Sequence, residues 1–456
     1  MNNNMENKKV LVVGMGKSGI AAAQALLRLG AKVSVQDSKK ESEIEPQLLT
    51  FLRGKAERCY FGIQPDALDD LDMMVLSPGV SPELGFVQEA VAKGVEVIGE
   101  LEIAYRVGRG NYIAITGTNG KTTTTTLVGE IFKNAKKKTY VVGNIGVAVI
   151  SMALTAEADS WLITETSSFQ LETTKYFKPQ VSAILNLTPD HMNRHHTMEN
   201  YGAAKAKIYQ NQDESGYFVV NYDDPGAYAL RENCKKAKIV PFSRKVELEY
   251  GAFVKDAKIV LINDSGELIE FCGINELNIP GDHNLENALA AAAISYLAGI
   301  DPQVITDTLS AFQGVEHRLE YCGEIDGVRF VNDSKGTNPD ASIKAIEAMQ
   351  GGIILIAGGY DKGSDFTEFI QSFKGRVKHM VLLGKTAPII KEQAEAVGFN
   401  RTTMAKNMEE CVSIAFKLAT PGDTVLLSPA CASWDMYTCF EQRGEHFKTC
   451  VHGLEK

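Results

Sequence analysis

A chain of 456 residues exceeds what one ordinary core organises, so two or three domains are expected. Its 44% hydrophobic and 23% charged residues are normal for a globular protein. The net charge of -10 speaks against a nucleic-acid or anionic-membrane partner, which demands a basic face, but leaves room for small anions in a local positive pocket.

The opening stretch MNNNMENKKVLVVGMGKSG does not read as a signal peptide. Its apolar run of about five residues is cut by Gly14, Gly16, Lys17 and Gly19, where a signal needs about seven or more. No run reaches the roughly 18 apolar residues of a membrane span. The eight cysteines are scattered without a CxxC pair, as reduced thiols are, and the expected compartment is the cytoplasm.

Three blocks follow in chain order. The first, 1–100, opens on KKVLVVG, continues through the Ala/Leu-rich stretch 19–29 to AKVSVQD, and later gives DLDMMVLSPG and VEVIGE. The second, 101–314, contributes NYIAITG, DSWLITET, QVSAILNLT and GYFVVNYDD. Around 246–280 it changes to short alternating runs, which predict a small antiparallel appendage, and it closes on predicted helices at 284–298 and near 302–312. The third, 315–456, carries VRFVNDS, GGIILIAGG, VKHMVLLG and DTVLLSPA. Short strands that run into polar turns, with helical patterns between them, predict α/β layers around parallel sheets. Ligands in such sheets bind beyond the carboxyl ends of the strands, so the chemistry is sought in those loops.

GMGKSG, with Gly14, Gly16 and Gly19, matches G-x-G-x-x-G between a strand and a helix, and Asp37 stands about 20 residues on, where a ribose hydroxyl acceptor would sit. The pattern supports a diphosphate at a helix N-terminus. A dinucleotide and a nucleotide-diphosphate conjugate satisfy it equally, and a tight turn with close helix packing is the plain alternative. GTNGKTT is a stronger signal. A strand enters a glycine turn and leaves as a helix near Lys121, so backbone N–H groups and the helix dipole favour a polyphosphate. Lys121 offers a mobile charge to the outer phosphates, and the Thr122 hydroxyl suits Mg2+. The full P-loop pattern needs glycine where Ile115 stands, so this is a shortened form.

Glu165 ends a strand at the same sheet edge, a natural place for a metal carboxylate. His191 follows another strand end. His195 and His196 lack the cysteine or Glu-x-x-His partners of a zinc site and read as solvated loop residues. Lys205, in YGAAKAKIY, reads by composition as a surface lysine. Asn284 and Asn287 open a helix and are spaced to meet a planar base edge, with capping as the alternative. Lys335, Thr337, Lys362 and Ser433, after Arg318 and Asp333, sit at successive strand ends, a set suited to a small carboxylate.

Taken together, GTNGKTTTT, ETSSFQL, LNLTPDHM, YGAAKAKIY, GDHNLENALAA, HRLE, NDSKGTNP and SPACASWDMY followed by FEQRGEHF resemble the Mur ligase family, in order and over about residues 10–450. The resemblance is strongest to the branch that adds D-glutamate to UDP-N-acetylmuramoyl-L-alanine in peptidoglycan precursor synthesis. It implies three domains: a Rossmann-like N-terminal domain, a central P-loop ATPase-type domain with a mostly parallel sheet, and a Rossmann-like C-terminal domain. It implies an ATP-dependent ligase that forms an amide bond through an acyl phosphate, works as a cytoplasmic monomer and uses neither nucleic acid nor membrane.

By the same resemblance, Lys17, Ser18, Asp37, Ser38, Ser77 and Asn144 would line the UDP-substrate site. Gly117, Thr118, Asn119, Gly120, Lys121, Thr122 and Thr123, with Asn284, Asn287, Arg318 and Asp333, would bind ATP. Two Mg2+ positions are implied, one at Thr122 and Glu165, the other at His191 and a carbamylated Lys205. Lys121, His191 and Lys205 would carry catalysis. Lys335, Thr337, Lys362, Ser433, Trp434 and Phe440 would surround D-glutamate. Asn193 stands where some members carry aspartate, and Trp434 where others carry leucine, which leaves the shape of the amino-acid pocket open. A folylpolyglutamate synthetase-like ligase would share the triphosphate turn but lack the UDP-binding block. An NAD-dependent oxidoreductase would explain GMGKSG and Asp37 and leave GTNGKTT, Glu165 and His191 without a role. A nucleotide-gated binding module would release no phosphate in response to an amino acid.

Overall fold

The computed structural model describes residues 4–279, 281–349, 351–360 and 364–455. They form three sheets distributed over two compact units. The first unit comprises 1–187, 194–274 and 286–310, and the second 188–193, 275–285 and 311–456.

The first sheet of the first unit has five strands in the spatial order Cys59–Phe61, Lys32–Asp37, Lys9–Val13, Met73–Leu76, Glu96–Gly99, all parallel. Val10, Val12, Val33, Val35 and Ile98 are fully buried, and Met73 nearly so, because helices cover a parallel sheet on both faces. The order reverses at Lys9–Val13, so the turn after that strand, where GMGKSG lies, is the topological switch point.

The second sheet has nine strands. Seven are parallel, six of them in the order Lys238–Ser243, Tyr217–Asn221, Val181–Ile184, Asn111–Thr116, Trp161–Glu165, Thr139–Gly143. Beyond Lys238–Ser243 the strand Gly251–Lys255 continues in parallel, and Lys258–Ile262 and Leu268–Gly273 add to it antiparallel. The expected antiparallel appendage is therefore a meander that prolongs the same sheet. Its first hairpin turns on Asp256 and Ala257, both at positive φ (47° and 58°), as a two-residue turn matched to strand twist requires. One buried cluster runs through both sheets of this unit, from Val10 and Ala22 to Tyr112, Phe177 and Phe218.

The second unit holds a six-stranded sheet ordered Glu320–Ile325, Val328–Asn332, Thr424–Leu427, Ile353–Ala357, Val377–Leu382, Thr402–Met404, antiparallel only at the first pair. The helices predicted at 284–298 and 302–312 are found at Asp282–Leu297 and Pro302–Ala311. Among the described residues no helix is long and apolar enough to cross a membrane.

Candidate active site

Strand Asn111–Thr116 is buried along almost its whole length and delivers the chain to the turn at 117–120, after which helix Lys121–Asn134 begins. Gly120 is the N-cap and sits at φ 79°, a conformation that L side chains rarely adopt. A Cβ there would also lie 2.3 Å from Asn287 Oδ1. No side chain caps the helix and its first turn holds no acid, so its positive end is not compensated from within. Asn186 fixes the turn. It accepts the Asn119 N–H on Oδ1 (2.8 Å), returns Nδ2 to Asn119 O (3.2 Å), and its own carbonyl takes the Thr118 N–H (3.1 Å). The Lys121 ammonium folds back over the turn and donates to Gly117 O (2.8 Å) and Thr118 O (2.7 Å).

Glu165 ends the neighbouring strand in register with Ile115 and is 1% exposed. Its carboxylate accepts the Thr122 hydroxyl on one oxygen and Asn144 Nδ2 on the other, each at 2.8 Å. A hydroxyl and a carboxylate held together at an uncompensated helix N-terminus are hard oxygen donors that fit Mg2+. Asn287 joins the same region, accepting the Thr124 hydroxyl at 3.2 Å. Thr123 is buried behind the turn.

Lys205 corrects its reading as a surface lysine. It is 1% exposed on helix Met198–Ala206, donates to Gly117 O (2.9 Å) and lies 4.5 Å from the centroid of the Tyr201 ring. Tyr201, one helical turn earlier, reaches Thr118 Oγ1 with its hydroxyl (3.3 Å). Asn186 and Tyr201 went unremarked in the sequence. The i, i+4 pairing of Tyr201 with Lys205 was the one available signal.

His195 is corrected as well. It is 4% exposed, bonded to the Ser168 hydroxyl (2.9 Å), 3.2 Å from Glu172, and stacked on Phe169. His196, by contrast, is exposed as expected. His191 belongs to the second unit, at φ 56°, with its N–H bonded to Asp190 Oδ1 (2.9 Å).

At the N-terminal sheet the glycine turn is held by neighbouring side chains. Asp37 accepts the N–H groups of Met15 (2.6 Å) and Lys39 (2.9 Å), and the Ser77 hydroxyl donates to Gly14 O (2.7 Å). Gly19 is demanded by packing, because a Cβ there would stand 1.8 Å from Gly14 O. A Cβ on Gly16 would meet nothing, so the start of helix Lys17–Arg28 is open to an approaching group. Lys17 and Ser38 are exposed beside it, and Ser18 is half-buried.

In the second unit, Asp333 is fully buried between Arg318 Nη1 (3.3 Å) and the Ser428 hydroxyl (2.8 Å). Burial raises its pKa against the opposing pull of Arg318 and Ser428. Burial, with the charges of Arg318 and Lys344 added to it, pushes the pKa of His283 down to about 3. Asn284 is buried at the head of the adjacent helix. Lys335 Nζ lies 4.8 Å over the Phe440 ring, and Thr337 is half-buried two residues on. Ser433 is buried, whereas Trp434 is 61% exposed with its ring 5.8 Å from that of Tyr360. Arg443 underpins this loop, donating to Ser334 O (2.8 Å) and Cys431 O (3.1 Å) while 1% exposed. Lys362 lies outside the described residues.

Comparison with known proteins bears on the whole chain. Residues 8–99 match the MurD-like N-terminal domain of Mur ligases, 115–295 the Mur ligase middle domain, and 317–431 the glutamate ligase domain of Mur ligases. A protein of Alkaliphilus oremlandii named UDP-N-acetylmuramoylalanine--D-glutamate ligase is 53% identical over 99% of this chain and 100% of its own length. The chain belongs to the Mur ligase family. A Clostridioides difficile Mur ligase of the same name is 48% identical over 99% of this chain and 100% of its own. Solved Mur ligases share the fold at low identity. The UDP-N-acetylmuramate-alanine ligase MurC of Thermotoga maritima has a TM-score of 0.60 at 19% identity, covering 98% of this chain and 100% of that one. MurF of Thermotoga maritima, solved in complex with ADP, has a TM-score of 0.60 at 16% identity over 100% of each chain.

Proposed function

We propose that this Mur ligase joins D-glutamate to UDP-N-acetylmuramoyl-L-alanine at the expense of ATP, in the cytoplasm, as a step of peptidoglycan precursor synthesis. The observation that carries the reading is the Thr122–Glu165 pair, bonded at 2.8 Å beside a glycine turn that Lys121 spans. Whole-chain similarity to relatives named for D-glutamate ligation selects the substrate.

A carboxylate resists attack by an amine because its leaving group would be oxide. Transfer of the γ-phosphoryl group of ATP to the carboxylate of the muramoyl-alanine substrate gives an acyl phosphate, whose leaving group is inorganic phosphate. The amine of D-glutamate then attacks the acyl carbon, the tetrahedral intermediate collapses, and phosphate departs. No nucleophilic side chain is needed, so the protein contributes positioning and electrostatics.

In this scheme the N–H groups at 117–123 cradle the polyphosphate, and Lys121 leaves the Gly117 and Thr118 carbonyls for the β- and γ-phosphate oxygens. By the family resemblance, Thr122 and Glu165 would hold one Mg2+, and His191 and a carbamylated Lys205 would hold a second. Mg2+ supplies neutralisation of the charge that gathers on the transferring phosphoryl group. Asn284, Asn287, Arg318 and Asp333 hold the rest of the nucleotide. Lys17, Ser18, Asp37, Ser38, Ser77 and Asn144 hold the UDP substrate, with its diphosphate at the open start of helix Lys17–Arg28. Lys335, Thr337, Lys362, Ser433, Trp434 and Phe440 receive D-glutamate.

The test is phosphate release from ATP in the presence of UDP-N-acetylmuramoyl-L-alanine, measured with D-glutamate, L-glutamate, L-lysine or no amino acid. Release that depends on D-glutamate is expected. Release with another amino acid moves the substrate, and no release with any of them overturns the reading.

A further inference from the structure

Among the described residues outside those given to ligation, two clusters of the second unit bring three metal-type donors together. Glu316, His317 and Glu445 form one, and Glu409, His446 and Cys450 the other. The first is already neutralised. Lys448 Nζ lies 2.5 Å from Glu316, 2.7 Å from Glu445 and 3.1 Å from Glu320, so an ammonium stands where a cation would.

The second cluster is built differently. His446 and Cys450 are one turn apart on helix Phe440–His452 and share a face, while Glu409 comes from the first turn of helix Met408–Leu418. Their donor atoms all lie within 4.8 Å of one another. Tetrahedral zinc, with bonds of about 2.0–2.3 Å to oxygen, nitrogen and sulfur, requires donors roughly 3.3–3.8 Å apart. The Glu409 carboxylate and His446 Nε2 are now 2.9 Å apart, so a small separation admits an ion. Among the described residues no lysine or arginine pairs with Glu409. The imidazole is also oriented from behind, because the Tyr437 hydroxyl lies 3.0 Å from His446 Nδ1. With the proton on Nδ1 donated to Tyr437 Oη, the Nε2 lone pair faces Glu409 and Cys450, the arrangement that outer partners impose on metal-bound histidines.

We propose that Glu409, His446 and Cys450 form a binding site for a thiophilic divalent cation, Zn2+ in chemical class, that clips the start of helix Met408–Leu418 to the end of helix Phe440–His452. One thiolate, one imidazole and one carboxylate select Zn2+ over Mg2+. Three protein ligands leave a fourth position for water, as in an exchangeable site rather than a closed structural one. Binding releases the Cys450 thiol proton to solvent, and the neutral imidazole keeps its one proton on Nδ1, facing Tyr437. His446 lies about 9 Å along the helix from Phe440, so the site is separate from the ligase residues, none of which is a cysteine.

The test uses the full-length protein, stripped by a chelator and held in excess Mg2+ so that oxygen-donor sites are filled. It is titrated with Zn2+ against a chromophoric competitor, and separately with Co2+ while absorption is recorded. The expected result is one Zn2+ per chain with a micromolar or tighter Kd, and a thiolate-to-cobalt charge-transfer band in the near ultraviolet. Cys450→Ser should abolish the band. His446→Ala and the more conservative Glu409→Gln should each weaken Zn2+ binding at least tenfold, and Tyr437→Phe about tenfold. Cys234→Ser, in the other unit, should change nothing. Retained ligation with Mg2+ reports that each variant is folded. No Zn2+ bound at 100 times the competitor-limited threshold, or a band and stoichiometry unchanged in Cys450→Ser and Glu409→Gln, overturns the proposal and leaves only a Glu409–His446 ion pair beside a bystander thiol.

Discussion

Glu165→Gln separates the structural from the chemical work of the carboxylate that joins Thr122 to Asn144. In the native chain each oxygen accepts one bond at 2.8 Å, from the Thr122 hydroxyl and from Asn144 Nδ2. Glutamine keeps both contacts. Its oxygen still accepts from Asn144, and its amide donates to the Thr122 hydroxyl, which rotates to accept. What is lost is the charge assistance, about 1–1.5 kcal/mol per bond, and a neutral amide is in turn easier to bury in a site 1% exposed. The net cost to folding is therefore about 1–2 kcal/mol, a fall of a few degrees in Tm for a chain of this length. The chemical cost is larger. A unit charge removed from about 4 Å of a cation is worth about 4 kcal/mol at an effective dielectric of 20, or roughly a thousandfold in rate. Thermal unfolding and phosphate-release kinetics across a Mg2+ series measure the two effects separately. A variant that keeps more than about a tenth of wild-type kcat/KM with unchanged Mg2+ dependence would refute the metal role. Collapse of Tm by tens of degrees would mean that the pair is chiefly a structural clamp.

Lys205→Ala should be nearly inactive and partly rescued by a small added carboxylate standing in for the carbamate; full activity without rescue sinks the carbamylation proposal. Glu100, buried with Oε1 accepting the Ile150 N–H (2.7 Å), has its pKa pushed up to about 7 by burial, against the pull of the Ile150 and Val149 amides. Because the folded state holds this proton more tightly than the unfolded one, stability falls as pH rises from about 4.5 through 7, by about 3 kcal/mol at most, and is flat above. Glu100→Gln should lack that component, so its Tm relative to wild type should rise between pH 5 and 8; a constant difference would mean that Glu100 titrates normally. Trp434 is 61% exposed, and the other tryptophan, Trp161, packs on Phe132, so D-glutamate should shift tryptophan emission to the blue in wild type and not in Trp434→Leu.

The elements legible in the sequence were those buried on both sides. Lys9–Val13, Asn111–Thr116, Val181–Ile184 and Ile353–Ala357 are interior parallel strands, and such strands read as unbroken apolar runs ending in glycine or polar turns. The strands that escaped notice are mostly at edges. Cys59–Phe61, Thr139–Gly143, Glu320–Ile325 and Thr402–Met404 each pair on one side only, so their burial is mixed and their pattern weak. Lys238–Ser243 is interior but contains Pro241, which argues against a strand. Its ladder to Gly251–Lys255 begins only at Phe242, past the residue that has no N–H to give. Lys205 and His195 misled for a related reason. Their burial comes from Thr116, Gly117, Ser168 and Phe169, distant in sequence, and a polar pattern on a short helix carries no trace of them. Motif residues at strand ends, Glu165 above all, were readable because sheet topology fixes where a strand end lies.

The two glycine turns show why fingerprint alone underdetermines the ligand. Both follow a buried parallel strand, both start a helix without a side-chain cap, and both lack acids in the first turn. They differ in the carboxylate beside them. Asp37 spends one bond on each oxygen to brace backbone, at Met15 and Lys39, so it shapes the turn and keeps spare lone pairs for a hydroxyl. Glu165 braces no amide of its turn; it faces a threonine hydroxyl at the head of the helix, with Lys121 folded across the carbonyls beside it. The first arrangement suits a diphosphate ester with a ribose at Asp37 and needs no metal. The second pairs an anionic ligand with a mobile cation, which a polyphosphate transferring its terminal group requires and a static diphosphate does not. That difference supports the proposal, which the family resemblance makes, that the UDP substrate binds at Gly14–Gly19 and ATP at Gly117–Thr123.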